Sequence, residues 1–532
     1  MDIGEAPRAC ASCKRNKRGC DKSLPKCSLC IRHNRDCDYS ENSQFNHREE
    51  LEDLRSRVLE LEQRLTPVTL TPAASSISDL LNPDNSAHHS LYHDLSAVAS
   101  FIDSDTSSTC NIPNPSNNIS APEEISSLLS ISDMEEIKYR YFNSVHTWMP
   151  IVSKIRLERI TQCEPRLLKA DALLLIMCMK LVCTYDQRQG SSNLYNLTKK
   201  LSQEVELNGL VTVRTVQASL LLCVYEAGHG IFPAAFLNIS CCARQGVVLG
   251  LHNKLAPQLA GNPRSWVDWE ERQRVWWMVV ILDRYIAIGS DYRPLCTEDP
   301  NRDTLLPASD SAWDNGEMMC PERVLLSSNS DTPVSSFARL AQASNLLGRV
   351  VKHCNDTSLE IEYVLDNFER LTQTIIAFLQ LITTNQDLSS NPFSTAAAIC
   401  FSALFKLASH HACDMHIEQG LDIAVASRVR GIMQRSVQML KETSNQVILF
   451  VRDARQSLTS ETMELVSPLV LNCIYSSTAN LSWMGIENGA PQYAVGKAVC
   501  EEMLQSLGAR WKAANAYLEL QRVADRDQEE HA

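Results

Sequence analysis

Residues 10–37 read CASCKRNKRGCDKSLPKCSLCIRHNRDC, with cysteines at Cys10, Cys13, Cys20, Cys27, Cys30 and Cys37. The gaps between them run two, six, six, two, six, so the second triplet repeats the first at an offset of 17. Thiolate sulfur is a soft ligand that suits zinc, which takes four ligands in a tetrahedron at about 2.3 Å. A CysxxCys pair presents two of them from one tight turn. Six thiolates cannot complete two separate tetrahedra, which need eight ligand positions. Bridging by two thiolates saturates both, and the spacing therefore predicts one compact cluster of two zinc ions. Three disulfides would require a secreted chain, and no signal peptide precedes Cys10.

The same stretch is strongly basic. Between Arg8 and Arg35 there are nine Lys and Arg against one acid, Asp21. Six thiolates and two dications subtract two charges, leaving about +6 on a very small surface, which suits a polyanion. The whole chain carries −13; residues 1–40 hold nine basic and five acidic side chains, so residues 41–532 carry −17. Only the N-terminus is suited to nucleic acid.

The complete cysteine spacing, the run Lys14, Arg15, Lys17, Arg18, then Asp21 after the third cysteine and Pro25 two before the fourth, resembles the DNA-binding module of the fungal zinc binuclear cluster transcription factors. The resemblance implies that Cys10 and Cys27 bridge, that Cys13 and Cys20 complete one zinc site, and that Cys30 and Cys37 complete the other. It also implies that Lys17 donates to guanine O6 and N7 in a CGG-like half-site, while Lys14, Arg15 and Arg18 contact phosphates. Asn16 and Gly19 depart from the usual basic run. The basic run is also expected to act as a nuclear import signal.

Beyond the cysteines, EELEDLRSRVLELEQRL at residues 49–65 places Leu51, Leu54, Val58, Leu61 and Leu65 at spacings of three, four, three, four. That is an a/d seam. In a parallel pair the seam sets Glu50 against Arg55 and Arg57 against Glu62, both attractive, which favours a homodimer over a surface helix packed on its own chain. Residues 67–130 shift to Ser, Thr, Pro and Asn and are expected to form a disordered linker. Within it, Asp94–Asp105 mixes acids with Leu95, Val98, Phe101 and Ile102 in the manner of a weak activation segment, although a plain spacer reads as well.

From near Asp133 the chain is apolar and helical, with runs at 167–185, 214–227, 233–250 and 268–289 and little strand alternation. The helix DWEERQRVWWMVVILDRYIAIG is expected to be capped by Asp268, with Glu271 at the third helical position, to end at Gly289, and to be buried on most sides. Glu271 to Arg274, Trp276, Trp277, Asp283, Arg284, Arg293, Pro294, Asp299, Leu306 and Pro307, with LGLH at 249–252 and YFNSVHTWMPIV at 141–152, are similar to the fungal-specific regulatory domain that follows many such zinc modules. The likeness covers roughly residues 135–310. On it, Asp283, Arg284 and Arg293 are expected to form buried structural ion pairs. Fourteen cysteines outside the cluster follow no repeating spacing and are expected to be buried free thiols, Cys178, Cys183 and Cys223 among them. Asp525–Glu530 reads as a frayed acidic tail.

Enzyme signatures are missing: there is no GxGxxG, phosphate loop, GxSxG or HExxH. His410, Cys413 and His416 are the nearest approach to a second metal site, but their spacing drifts around a helix. No apolar stretch is long enough to cross a bilayer, so a soluble chain is expected. The expected architecture is all-α: a zinc cluster at 1–40, a connector and dimerising coiled coil at 41–66, a linker at 67–130, a helical regulatory domain at 131–440, and a C-terminal helical region at 441–532. The expected function is a nuclear, sequence-specific activator of one metabolic or secondary-metabolite gene cluster. Its expected partners are double-stranded DNA, a second copy of itself and the transcription machinery. The alternative is a zinc-dependent protein-interaction or corepressor module without direct DNA readout.

Overall fold

The structure is a computed structural model that describes residues 6, 9–10, 12–13, 19–39, 129–184, 190–256, 261–289, 292–328, 332–384, 391–412 and 422–531. The chain divides into two compact units, Met1–Tyr92 and His93–Ala532. The expected coiled coil with Leu51, Leu54, Val58, Leu61 and Leu65, the linker and its Asp94–Asp105 segment lie outside the described residues. In the first unit one short helix is described, α1 (Ser28–Arg32).

The second unit is built of helices: α2 (Ile131–Asn143), α3 (Lys154–Thr161), α4 (Ala170–Cys183), α5 (Gly190–Leu207), α6 (Val213–Gly228), α7 (Phe232–Val248), α8 (Trp266–Ala287), α9 (Asp310–Asp314), α10 (Ser336–Asn355), α11 (Ile361–Thr384), α12 (Thr395–Ala412), α13 (Ile423–Ser457), α14 (Leu471–Asn488), α15 (Pro491–Leu507) and α16 (Lys512–His531). Among the described residues the only β pairing is an isolated antiparallel bridge, Leu305 to Leu325. The predicted helices at 167–185, 214–227, 233–250 and 268–289 correspond to α4, α6, α7 and α8.

Local sequence explains several helix starts. Ser130 caps α2 by accepting from the Asp133 amide at 3.1 Å, and Asp133 returns the bond to the Ser130 amide at 2.8 Å. At α8 the cap is Ser265, whose hydroxyl accepts from the Asp268 amide at 3.2 Å. The expectation of Asp268 as cap is corrected by one turn. Trp266 and Val267 are already helical, and the Asp268 carboxylate instead accepts from the Arg264 amide at 3.0 Å and from Arg156.

Helix α8 packs against α6, α7 and α10 and is buried on most sides, as its apolar run implied. Its interior charges are all paired. Arg274, fully buried, donates to Glu270 at 2.9 Å, Asp310 at 2.7 Å and the Ala308 carbonyl at 2.8 Å, and its guanidinium lies 4.4 Å over the Trp313 ring. Two and a half turns further on, Asp283 accepts from the Thr297 amide at 2.9 Å and the Cys296 amide at 3.1 Å. The adjacent Arg284 reaches the Glu298 carbonyl at 2.7 Å and Asp299 at 3.3 Å. Arg284 passes over Gly348 of α10, where a Cβ would stand 3.0 Å from its Nε. Asp283 and Arg284 are thus structural, as expected. Arg293 is not: it is exposed and stacks over the Phe236 ring at 5.2 Å, because the 292–294 turn carries it to the surface.

The hydrophobic core is continuous from Leu129 to Leu518. Helix α13 runs unbroken through residue 440, where a boundary between regulatory domain and C-terminal region was expected. Trp511 sits directly against Gly228 of α6, where any Cβ would come within 2.3 Å of its ring, and its indole N–H donates to the Val466 carbonyl at 2.9 Å. Tyr285 of α8 donates to the Pro468 carbonyl at 3.0 Å. The acidic tail is not frayed at Asp525: α16 continues through it. Lys497 at 2.6 Å, Ser482 at 2.6 Å and Gln521 at 2.7 Å all engage its carboxylate. Cys178, Cys183, Cys223, Cys242, Cys354, Cys400, Cys473 and Cys500 are buried, whereas Cys163, Cys296 and Cys320 are exposed and Cys241 half-buried, so burial holds for most of the thiols but not all.

Removing the Arg274 side chain takes away the fully buried partner of Glu270, which keeps only Arg323 at 3.1 Å and the Ala308 amide at 2.8 Å. Arg274→Ala is therefore expected to destabilise the helical unit by about 3 kcal/mol, the low end of the usual result of breaking a buried pair from one side. Urea denaturation followed by tryptophan fluorescence checks this, and a loss below about 1 kcal/mol would mean that the pair is dispensable.

Candidate metal centre and nucleic-acid interface

Among its described residues, the first unit has almost no hydrocarbon core. Cys10, Cys13, Cys27 and Cys30 are its buried centre, with Cys20, Leu29, Cys37 and Tyr39 packed around them. The two CysxxCys turns are built alike. The Cys10 sulfur accepts from the Cys13 amide at 3.5 Å, and the Cys27 sulfur, which caps α1, accepts from the Cys30 amide at 3.4 Å. Each turn therefore points its two sulfurs inward from a helical start.

Two groups of four sulfurs converge, Cys10, Cys13, Cys20, Cys27 and Cys10, Cys27, Cys30, Cys37, and within each group all ligand atoms lie within 4.8 Å of one another. Cys10 and Cys27 belong to both, and both are fully enclosed. The separations Cys10–Cys27 and Cys10–Cys30 are 3.8 and 3.7 Å, and Cys13–Cys27 is 3.7 Å. A disulfide would need about 2.0 Å. The edge of a tetrahedron with a centre-to-sulfur distance of about 2.3 Å is about 3.8 Å. Three separations at tetrahedral edge length, in two tetrads that share the Cys10–Cys27 edge, suit zinc.

Burial pushes the Cys10 thiol up and the Cys13 thiol up to about 12. Cys27 and Cys37 are held below the ordinary thiol value: burial opposes this but is outweighed by amide donors, from Cys30 to Cys27 and from Cys27 to Cys37, the latter at 3.2 Å. A dication in place of the protons resolves this crowding of four or more sulfurs, since metal binding deprotonates its thiols.

The shell around the sulfurs also follows from sequence. Asp21 accepts from the Ser28 amide at 3.1 Å, from the Ser28 hydroxyl, and from the Ser23 hydroxyl at 3.1 Å, which fixes the start of α1 and keeps the carboxyl below its usual range. The Tyr39 hydroxyl donates to the Ser23 carbonyl at 3.2 Å and stands 3.7 Å from the Cys20 sulfur. Tyr39 was not foreseen. Its only signal is its place two residues after the last cysteine, where an aromatic with a polar tip can cover a thiolate. Lys14, Arg15, Lys17 and Arg18 lie outside the described residues. Of the remaining cations, Lys26, Arg32 and Arg35 are exposed and Lys22 is half-buried at a left-handed φ of 59°. In the helical unit, Cys413 and His416 lie outside the described residues. His411 meets His353, not a metal-like set, with their Nε2 atoms 2.9 Å apart.

Residues 8–45 match the fungal Zn(2)-Cys(6) binuclear cluster domain, and residues 139–397 match the fungal specific transcription factor domain. Transcription factor BOA15 of Botryotinia fuckeliana is 48% identical over 178 residues, which is 33% of this chain and 98% of that protein. The chain belongs to the fungal Zn(2)-Cys(6) transcription factors. Within that family it is also similar to the citrinin biosynthesis transcriptional activator mrl3 of Monascus ruber, 25% identical over 334 residues, covering 58% of this chain and 65% of that protein. The notoamide biosynthesis cluster transcriptional coactivator notQ' of Aspergillus versicolor is 34% identical over 130 residues, 22% of this chain and 25% of that one. As a Zn(2)-Cys(6) transcription factor the chain is a zinc-binding regulator and not an enzyme. Among the described residues no helix is long and apolar enough to cross a membrane.

Because sulfur is nearly all that the described residues of the first unit bury, zinc removal is expected to unfold them. Treating the full chain with a strong chelator should release zinc and collapse the amide NMR dispersion of residues 19–39. The far-UV circular dichroism of the helical unit, whose core contains none of these six sulfurs, should persist. A zinc-free chain that keeps the dispersed signals would show that the metal is not the core.

Proposed function

We propose that the chain is a nuclear, sequence-specific DNA-binding regulator that activates one biosynthetic gene cluster, binding CGG-like half-sites as a homodimer. The observation that carries this reading is the pair of sulfur tetrads sharing Cys10 and Cys27, flanked by exposed Lys26, Arg32 and Arg35 and by the basic run Lys14–Arg18. In this reading Cys10 and Cys27 bridge two zinc ions, Cys13 and Cys20 complete one, and Cys30 and Cys37 the other; the zinc released per chain on chelation reads that count directly. Lys17 reads guanine, and Lys14, Arg15 and Arg18 hold phosphates. The citrinin and notoamide biosynthesis for which the Monascus and Aspergillus relatives are named support a regulator dedicated to one small-molecule pathway. Dimerisation is assigned to Leu51, Leu54, Val58, Leu61 and Leu65. The domain division proposed is cluster 1–40, coiled coil 41–66, linker 67–130 and helical regions thereafter.

Selection of the full chain on randomised duplexes is expected to return CGG-like half-sites, and a failure to enrich any sequence would reject direct readout. Lys17→Ala should cost about 1–3 kcal/mol at the selected site and relax its guanine preference. Arg18→Ala should weaken all duplexes alike and make the salt dependence shallower by about one unit of slope.

Dimer geometry is tested separately. Val58→Glu sets a carboxylate against its symmetry mate at the central a position. The variant is expected to keep single half-site binding and to lose the extra affinity for paired sites, which arises from effective concentration. Competition gel shifts at one fixed salt concentration measure that ratio. An unchanged preference would remove residues 51–65 as the dimerisation element.

A further inference from the structure

A cavity of about 460 Å³ opens in the helical unit between α3, the starts of α4 and α6, and the loop that leads into α8. Its size falls in the range that holds small ligands, about 300–1,000 Å³. The floor is apolar, with Leu157, Ile160, Leu175 and Val213. Four arginines line it, Arg156, Arg214, Arg264 and Arg272, against three carboxylates, Asp171, Asp268 and Glu271.

The carboxylates are already satisfied. Glu271 is buried and accepts from the Ser153 amide at 3.0 Å, Gln217 Nε2 at 3.0 Å and Arg156 at 2.6 Å. Asp171 accepts from the Ala172 amide at 2.8 Å through one oxygen, and from Thr212 and Arg214, both at 3.1 Å, through the other. Asp268 has Arg156 on one oxygen and the Arg264 amide on the other.

Two of the guanidiniums, those of Arg214 and Arg264, are not used up in the same way. Arg214 spends one N–H on Asp171, and its remaining donors have no partner among the described residues. The Arg264 side chain, exposed at the mouth, has no partner among the described residues. Arg272 is pushed below the ordinary guanidinium value, by partial burial first and then by the nearby Arg156. A gap left merely by crossing helices would not collect a surplus of cations over a floor of aliphatic side chains. An inorganic anion would leave that floor unfilled, and a neutral apolar molecule would make no use of the free Arg214 and Arg264 donors at its rim.

We propose that this cavity binds a small organic acid with an apolar body, its carboxylate held by Arg214 and Arg264 and its body lying on Leu157, Ile160, Leu175 and Val213. A planar guanidinium fork matches a carboxylate, and charge-assisted hydrogen bonds are the strong ones available to such a ligand. The site lies wholly in the helical unit, so it stands or falls independently of how the zinc cluster reads DNA.

Isothermal titration of the full chain with 4-phenylbutyrate, decanoate, 4-phenylbutanamide and inorganic phosphate tests the assignment. At least one of the two acids is expected to bind at one site per chain, with the amide and phosphate at least tenfold weaker, roughly the effect of losing one charge-assisted contact. The exposed Arg264 side chain makes no hydrogen bond or ion pair among the described residues, so Arg264→Glu should leave the ligand-free melting temperature unchanged while weakening acid binding at least about tenfold. Arg264→Lys should restore part of it. The proposal is overturned if neither acid saturates up to about 10 mM, if acid and amide bind alike, or if Arg264→Glu binds the acid as the unmodified chain does.

Discussion

Helix α8 carries charges through the middle of an apolar core, and the helical unit is arranged so that none of them is left alone. Arg274 is satisfied only because residues 308–310 fold back over it, and Asp283 only because the 296–297 amides do the same. The long segment between α8 and α10 contains little regular structure, yet its path is dictated twice over by these buried groups. The Leu305–Leu325 bridge, the Trp277 indole donating to the Leu305 carbonyl at 2.9 Å, and the short α9 all hang from that path. An apolar replacement of the whole network would be tolerated in principle, but loss of one partner would not, because an unpaired buried charge costs more than the pair contributes.

The zinc unit solves a different problem. Its described residues between 6 and 39 enclose sulfur rather than hydrocarbon, and the polar shell of Asp21, Ser28, Ser23 and Tyr39 holds the two CysxxCys turns in register. Lys26, Arg32 and Arg35 face solvent because none of them is needed inside. A small scaffold that spends its interior on metal ligands can give its entire surface to a polyanion.

What was legible in the sequence was what is local. Sulfur spacing within 28 residues specifies which ligands can meet, and helical periodicity specifies α4, α6, α7 and α8. The cap of α8 was misplaced because Ser265 and Asp268 are both good capping residues three apart, and only the backbone decides which one precedes the first turn. Arg293 looked like a buried partner because it lies ten residues after buried neighbours, but its exposure depends on a turn that no periodicity encodes. The meeting of Trp511 with Gly228 and the arginine-lined cavity are products of tertiary approach between residues far apart in the chain. No short window of sequence contains them.

The contact between Trp511 and Gly228 also bears on where this fold can be cut. The region that matches the fungal specific transcription factor domain ends at residue 397, yet the indole that closes α6 arrives more than a hundred residues later. A fragment ending at residue 397 would lack Trp511, the Pro468 carbonyl that meets Tyr285 and the Val466 carbonyl that meets the indole, and would leave the face of α6 around Gly228 open to water.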